Sequence, residues 1–413
     1  MALLSATAAQ IPPNSATQLA VFGEIRLFVW YNGRYMLNRM LYPQLLNVLQ
    51  PGKVVVVYGP RRVGKTYLLN QLIDELSQSG QTCKYANGES LVVQQQLSAQ
   101  IPEKLYQFLD GAEVLVVDEA QQIPQIGLNL KLLIDTYPHL KIVASGSASF
   151  SLSQEVGEPL TGRKKTLTLY PVSIQELVQN YSTEMVQATV VDRCIYGGYP
   201  ELFNLDSVSE QQDYLEDLVD SYLFKDILEL EQIKGAKKLY DLLTLLAFQI
   251  GKEVSLSELG NRLDLHKDTV ARYLDLLEKS FVVFNLRGYS RNLRKEISKT
   301  SRYYFWDMGI RNALIRNYNP PNMRNDIGAI WENFLVMERI KKLAYQNKTA
   351  NYYFWRTYDQ KEIDWIEERD GLLRGFEMKW GSRLPKAPED WLATYANASY
   401  EVVNRENYLE FVS

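Results

Sequence analysis

One stretch limits the architecture more than any other: Gly59-Pro60-Arg61-Arg62-Val63-Gly64-Lys65-Thr66, directly after the run Val54-Val55-Val56-Val57. A G-x-x-x-x-G-K-T pattern needs two structural neighbours. A buried strand must deliver the chain into the loop and a helix must leave it. The glycines then let backbone N–H groups curl around an anion, and the helix N-terminus adds a favourable dipole. Both neighbours are legible. Lys53–Tyr58 reads as a buried strand, and Thr66–Ser77 carries Leu68, Leu69, Leu72, Ile73 and Leu76 at helical spacing, with Gly80 as its stop. Further strand-like runs at Thr82–Tyr85, Val114–Val117, Lys141–Ala144 and Thr166–Leu169 alternate with helical patterns, which predicts a parallel sheet covered on both faces.

The loop chemistry predicts an ATP site. Backbone groups of Gly59, Pro60, Arg61, Arg62, Val63 and Gly64 would cradle phosphates, Lys65 would meet the β/γ-phosphates, and the Thr66 hydroxyl would reach Mg²⁺. Val114–Val117 ends in Asp118-Glu119, 59 positions after the loop begins. Asp118 at a strand tip is placed for the Mg²⁺ water shell, and Glu119 for orienting and deprotonating an attacking water. Alone, such a pair also suits an acidic helix start; joined to the loop, it reads as catalytic. One extra strand between the two motifs and the Asp-Glu pair resemble the AAA+ and related ATPases. That resemblance implies that Lys141–Ala144 lies between the two motif strands, and that Ser145 or Ser147 is a γ-phosphate sensor rather than a turn residue. Arg163, between a loop and a strand, is the candidate arginine finger, with an ordinary surface arginine as the rival reading. Gly198-Tyr199-Pro200 resembles a lid element that sits against adenine, so Tyr199 and Pro200 join the candidate nucleotide contacts.

Composition narrows the remainder. The chain has 413 residues and 46% hydrophobic content, enough for two to four folded domains. A net charge of −4 gives no global basic field, so any nucleic-acid surface must be a local patch. Two cysteines and two histidines argue against a disulfide framework or a His/Cys metal centre, and low cysteine usage fits a reducing cytoplasm. No apolar run is long enough to span a membrane, so no membrane partner is expected. The first 30 residues read as a flexible tail.

After Pro171 the pattern changes. Val172–Asn180 and Gln211–Leu230 read as helices. Ser255-Leu256-Ser257-Glu258 is a capping box that opens Leu256–Leu263, and a second helix follows His266 with Val270, Tyr273, Leu274 and Leu277 on one face. This is a helix-turn-helix pattern. Val282–Arg287 and Ser301–Phe305 flank a basic linker with Arg287, Arg291, Arg294, Lys295, Lys299 and Arg302 around Tyr289. The whole reads as a winged helix, with Lys267, Thr269 and Arg272 facing DNA and the wing tracking phosphates. A protein-docking or lid role is the competing reading.

The C-terminal region places Glu332 on a helix, Asp364 in a strand, and Glu377-Met378-Lys379 on another strand, where i and i+2 share a side. Asp364 and Glu377 are candidate ligands for a second Mg²⁺ or Mn²⁺, with Lys379 assisting water and Glu332 completing the shell. The order resembles the PD-(D/E)xK nuclease fold; a degenerate, docking version is the alternative. In combination, the motifs resemble bacterial and archaeal AAA-type ATPases that end in a restriction-endonuclease-like domain of unknown function. The implied architecture is α/β: a flexible tail (1–30), a P-loop ATPase core of AAA+ type (31–172), a helical lid (173–235), a winged helix (236–325) and a nuclease-like domain (326–413). The implied activity is Mg²⁺-dependent ATP hydrolysis coupled to DNA, or else a signalling-type switch that binds a protein partner. Oligomerisation would be needed only if Arg163 acts on a neighbouring subunit.

Overall fold

The computed structural model describes residues 18–22, 25–31, 34–147, 160–223, 236–289, 301–357, 359 and 361–413. An antiparallel three-stranded sheet comes first: β1 (Gln18–Phe22), β2 (Ile25–Tyr31) and β3 (Arg34–Met36). Residues 18–22 and 25–30, expected in the N-terminal tail, form strands here. The segment Ile25–Tyr31 is rich in β-branched and aromatic residues and pairs with β3 in the register Val29↔Met36.

The second sheet is parallel and five-stranded: β4 (Lys53–Gly59), β5 (Cys83–Asn87), β6 (Val114–Asp118), β7 (Lys141–Ser147) and β8 (Lys164–Thr168), in the order β5-β6-β7-β4-β8. β7 therefore lies between the two motif strands. The valine run splits by the period of the strand. Val55 and Val57 join the core with Leu68, Leu69 and Leu72, while Val54 and Val56 join the opposite core with Leu115, Leu130 and Leu133. All four valines are fully buried, which explains a continuous rather than an alternating apolar run.

A helical region follows, with Ile174–Asn180, Thr183–Tyr196 and Val208–Leu218. The first of these carries a capping box between Ser173 and Glu176. Helix 183–196 was not anticipated: its apolar stripe is weak, and only Val186, Val190 and the turn Cys194–Tyr196 are buried. The anticipated Gln211–Leu230 helix ends at Leu218 and passes into a π-turn over Val219–Leu223; its residues 224–230 lie outside the described residues.

The third sheet is mixed. β9 (Glu253–Val254), β10 (Val283–Gly288), β11 (Ser301–Phe305), β12 (Asn351–Arg356), β13 (Glu362–Arg369), β14 (Leu372–Met378) and β15 (Ala398–Val403) are ordered β15-β14-β13-β12-β10-β11-β9. Helices Leu256–Leu263 and Lys267–Lys279 precede the antiparallel pair β10/β11. This region does not stand apart, because β10 pairs in parallel with β12 and carries the sheet into the C-terminal region. Helix Ile327–Tyr345 docks on β11 through Asn333, whose side-chain amide exchanges hydrogen bonds with the Phe305 backbone at 2.7 and 2.8 Å. Among the described residues, no helix is long and apolar enough to cross a membrane.

Candidate functional site

The carboxyl ends of β4, β6 and β7 converge on one cleft, set by the registers Val57↔Ser145, Gly59↔Ser147 and Val117↔Ala144. Gly59 has φ +154°, and a Cβ there would lie 2.1 Å from the Leu169 carbonyl oxygen, so only glycine lets the chain leave β4 beside β8. Helix Lys65–Gln78 starts immediately after Gly64, which has φ +95°. The Lys65 ammonium is buried and donates to the carbonyls of Gly59 (3.0 Å) and Pro60 (2.8 Å), folded back along the loop.

Thr66 Oγ1 donates to Asp118 Oδ2 at 2.7 Å. This joins the loop to the second motif and puts a hydroxyl and a carboxylate side by side, a hard-oxygen pair that fits Mg²⁺. Tyr85 Oη also donates to Oδ2 (3.2 Å), and burial, with Asp118 next, pushes the Tyr85 phenol up to about 12. Ser145 Oγ donates to Asp118 Oδ1 and accepts from the Glu119 amide at 3.3 Å. Ser145 is fully buried. Its hydroxyl is engaged by Asp118 and the Glu119 amide, while Ser147, the other sensor candidate, lies two residues on at the strand end.

Glu119 turns out of β6 in the left-handed region, φ +48°. Its carboxylate accepts from Gln121 Nε2 at 2.5 Å, and the same amide donates to Ser147 Oγ at 3.0 Å. Gln121 was missed by sequence reasoning. It lies in a three-residue turn, Ala120–Gln122, that carries no period to read.

The cleft encloses about 530 Å³ and is lined by Arg62, Gly64, Lys65, Thr66 and Glu119 on the loop side and by Pro200, Glu201, Asn204 and Tyr214 on the helical side. The Arg62 guanidinium lies 5.7 Å from the Tyr214 ring centroid, a cation–π distance. Pro200 is thus at the cleft, but Tyr199 is not: its side chain is buried in the core beneath. Arg163 is also misplaced for action on its own cleft. Its neighbour Lys164 pairs with Val54 at the amino end of the sheet, five residues or about 16 Å of strand from Gly59, and Arg163 pairs with Asp135 at 3.0 Å.

A second residue missed from sequence is Arg39. It is buried and makes three short contacts: Nε to Glu176 Oε1 (2.8 Å), Nη1 to the Val63 carbonyl (2.6 Å) and Nη2 to the Tyr170 carbonyl (2.6 Å). One side chain therefore fastens the phosphate loop to the start of the helical region. Tyr170 in turn stacks on Trp306 at 5.1 Å.

Gly197-Gly198-Tyr199-Pro200 joins the cleft to the downstream unit. Gly197 has φ +80°, and a Cβ there would meet the Asp307 carboxylate at 2.0 Å. Asp307 accepts from the Gly198 amide (2.7 Å) while capping helix Met308–Leu314 through Gly309 (2.8 Å). Phe305–Gly309, read as structural from sequence, is the latch on this turn.

The C-terminal acids also converge. Asp364 Oδ2 accepts from the Met378 amide (3.0 Å), and Lys379 Nζ donates to Glu377 Oε1 (2.5 Å). Glu332 accepts from Tyr304 Oη (2.6 Å). Burial and the Asp364 charge push Glu332 up to about 8 and Glu377 up to about 7. The arrangement differs from the expected metal centre in one respect: the Arg302 side chain is inside it. Arg302 was expected on the DNA-facing wing, yet only 4% of it is exposed. Tyr289, also expected on that wing, packs against Tyr353, Trp391 and Tyr395. Arg291, Arg294, Lys295 and Lys299 lie outside the described residues. Among the described residues, no group of three His, Cys, Asp or Glu side chains is disposed to hold a metal ion.

Lys267 and Arg272 are exposed and Thr269 is half-buried at the start of helix Lys267–Lys279. Arg287 is exposed on β10.

The parallel sheet and its cleft define a P-loop ATPase domain of the AAA type. Comparison with known proteins agrees: an AAA domain model matches residues 51–178, followed by a Domain of unknown function (DUF8612) over 187–320 and a Domain of unknown function (DUF4143) over 327–406. The chain is similar to uncharacterized proteins of Mycobacterium tuberculosis (29% identity, covering 81% of this chain and 72% of that one) and Haemophilus influenzae (27%, covering 81% and 84%). An uncharacterized protein of Methanocaldococcus jannaschii is 23% identical, with 77% of this chain and 73% of that one covered. Among solved structures, replication initiator DnaA bound to AMPPCP and single-stranded DNA aligns over 58% of this chain and 86% of its own, with 14% identity and a TM-score of 0.30. The Hsp104–ADP complex of S. cerevisiae aligns over 58% and 38%, with 13% identity and a TM-score of 0.27. At those scores neither carries a functional argument.

Proposed function

We propose that this chain is a Mg²⁺-dependent ATP hydrolase whose nucleotide state is passed to a DNA-binding winged helix. The supporting observation is the short path at Gly197–Pro200: Pro200 lines the nucleotide cleft, and two residues earlier the Gly198 amide is held by Asp307, which caps the helix following the wing. A shift of Pro200 against bound nucleotide would move a turn that the downstream unit grips directly. In the cleft, backbone amides of Gly59–Gly64 would bind phosphate oxygens, and Lys65 would leave its loop carbonyls for the β/γ-phosphates. Thr66 and Asp118 would hold Mg²⁺, which when bound neutralises phosphate charge. Glu119, aimed through Gln121 and Ser147, would orient the attacking water and accept its proton. Exposed Lys267 and Arg272 at the start of the second helix would face the DNA backbone.

A second reading has its own support. Helix Lys267–Lys279 carries three acidic residues (Asp268, Asp275 and Glu278) beside three basic ones, and such balance suits a protein partner. ATPase rate measured with and without duplex DNA, at low and physiological salt, separates the two. DNA stimulation that falls with salt and is lost in Lys267→Ala/Arg272→Ala supports DNA coupling. Indifference to DNA at both salts transfers the role to a protein-binding switch. Loss of turnover in Lys65→Ala tests hydrolysis itself; an unchanged rate would overturn the ATPase reading.

A further inference from the structure

We infer that Arg302 is the resident cation of the C-terminal carboxylate cluster, standing where the nuclease resemblance would put a divalent metal. Four acidic side chains meet there: Glu332 from helix Ile327–Tyr345, Glu362 and Asp364 from β13, and Glu377 from β14. Arg302 reaches them from β11, on the other side of β10 and β12 in the sheet order. Its Nη2 donates to Glu362 Oε2 at 2.7 Å. Its Nη1 lies 3.7 Å from Asp364 Oδ1 and 3.9 Å from Glu332 Oε1. The flat face of the guanidinium rests on the Phe354 ring, 4.5 Å from the centroid. A planar, delocalised cation that stacks and forks between carboxylates is what arginine supplies and an ammonium does not.

The oxygens left over do not suit a hard divalent ion. Such an ion takes about six oxygens at about 2.1 Å for Mg²⁺. Here Asp364 spends Oδ2 on the Met378 amide and turns Oδ1 to Arg302, Glu332 Oε1 holds the Tyr304 hydroxyl, and Glu377 Oε1 holds Lys379. Glu377 Oε2 is buried without a hydrogen-bond partner, which leaves too few oxygens on its own for a six-coordinate ion. A metal placed between Asp364 and Glu377 would also face two positive side chains, Arg302 and Lys379, at short range, and like charges repel most strongly where water is excluded. The metal centre therefore does not fit these residues while Arg302 remains in place.

The consequence is a change of role. Arg302 belongs to the wing strand, and the acids belong to the C-terminal helix and strands. The cluster thus clasps the winged helix to the C-terminal sheet by charge, with Arg302 as a positioning residue, and the same contact blocks metal-dependent phosphodiester cleavage. A second clasp reinforces it at the cluster's edge, where Arg356 of β12 pairs with Glu253 of β9 at 2.6 Å.

The test is Mn²⁺ binding to the nucleotide-free full chain, followed by electron paramagnetic resonance of the free ion. It is run in an Asp118→Asn background so that the nucleotide cleft adds no site. With Arg302 present, no Mn²⁺ should bind at the cluster at millimolar concentration. Arg302→Met, which keeps the length and removes the charge, should acquire a site at least tenfold tighter; Arg302→Lys should keep most of the exclusion. Adding Glu377→Gln to Arg302→Met should abolish the new site. A stoichiometric Mn²⁺ site in the protein with Arg302 intact, removed by Glu377→Gln or Asp364→Asn, would overturn the inference. That comparison needs no Arg302 variant, so it holds even if Arg302→Met does not fold. A folded Arg302→Met chain that gains no Mn²⁺ would also overturn it. All these readouts are independent of ATP turnover.

Discussion

Arg39→Met is the substitution whose effect follows most directly from the geometry around the nucleotide cleft. Methionine keeps the aliphatic length and removes three donors, leaving the Val63 and Tyr170 carbonyls without this partner and Glu176, which is fully buried, without its counter-charge. Breaking a buried ion pair by deleting one member costs about 3–5 kcal/mol. The lower end applies here, because Glu176 keeps hydrogen bonds from the Ser173 amide (2.9 Å), the Ser173 hydroxyl (3.1 Å) and the Met40 amide (3.1 Å). Each orphaned carbonyl adds about 1 kcal/mol where water cannot replace the donor. The loss should therefore be about 5 kcal/mol. It should be concentrated locally, since a chain of several domains does not unfold as one unit. Hydrogen exchange is the suitable assay: amides of Lys65–Gln78 should exchange about a hundredfold or more faster, while those of β13 and β14 stay unchanged. If about 1.4 kcal/mol of the loss is loop ordering that nucleotide must restore, the Kd for an ATP analogue rises about tenfold. A double-mutant cycle with Glu176→Gln should show coupling well above the ~0.5 kcal/mol of independent sites. Unchanged exchange in Lys65–Gln78, or additive single effects, would refute the claim that Arg39 props the phosphate loop.

Other outcomes follow from neighbouring geometry. Glu119→Gln should bind ATP with near-normal affinity and cut turnover by about a hundredfold or more, the range for a general base; single-turnover measurements check this, and normal turnover would remove Glu119 from the chemistry. Gly197→Ala should uncouple the downstream unit, because its Cβ would occupy the Asp307 carboxylate position and its φ of +80° disfavours alanine; increased proteolytic release of the C-terminal region is the readout. Asp326 supplies a pH test. Burial would raise its pKa, but hydrogen bonds from Arg324 and Arg311 outweigh that and hold it at about 2. A depressed folded pKa gives stability that is present above the unfolded value of 3.8 and lost as pH falls through about 2. The docking of helix Met308–Leu314 should therefore weaken between about pH 4 and pH 2, and Asp326→Asn should flatten that dependence.

The cleft was legible because its parts are local. A loop of eight residues, the strand before it and the helix after it are encoded by neighbours, so Gly59–Thr66 and Asp118-Glu119 could be read without knowing the fold. The partners of Ser145 could not be read on the same basis. Its position at the end of β7 was foreseeable, but which of two serines meets Asp118 depends on the register Val57↔Ser145 against β4. Arg163 shows the same limit: its place beside a strand was legible, and the end of the sheet it occupies was not. Helix 183–196 escaped notice because contacts with helix Met308–Leu314, including Asn312 to the Cys194 and Ile195 carbonyls (3.3 and 2.8 Å), support it more than its own apolar stripe does.

The amino-acid sequence by itself determined an ATPase core of AAA type, the order of the regions behind it, and the acids that gather near the C-terminus. Periodicity, glycine positions and motif spacing all act over a few residues, where the chain's own geometry dictates the outcome. Only the tertiary structure decided which cation each buried carboxylate receives. Arg39 finds Glu176 across 137 positions, and Arg302 on one strand lies 3.7 Å from buried Asp364 on another. A basic residue in a linker looks the same in sequence whether it faces water or a buried acid. Burial makes the choice, because a carboxylate removed from water must be paired, and packing alone sets which cation is within reach.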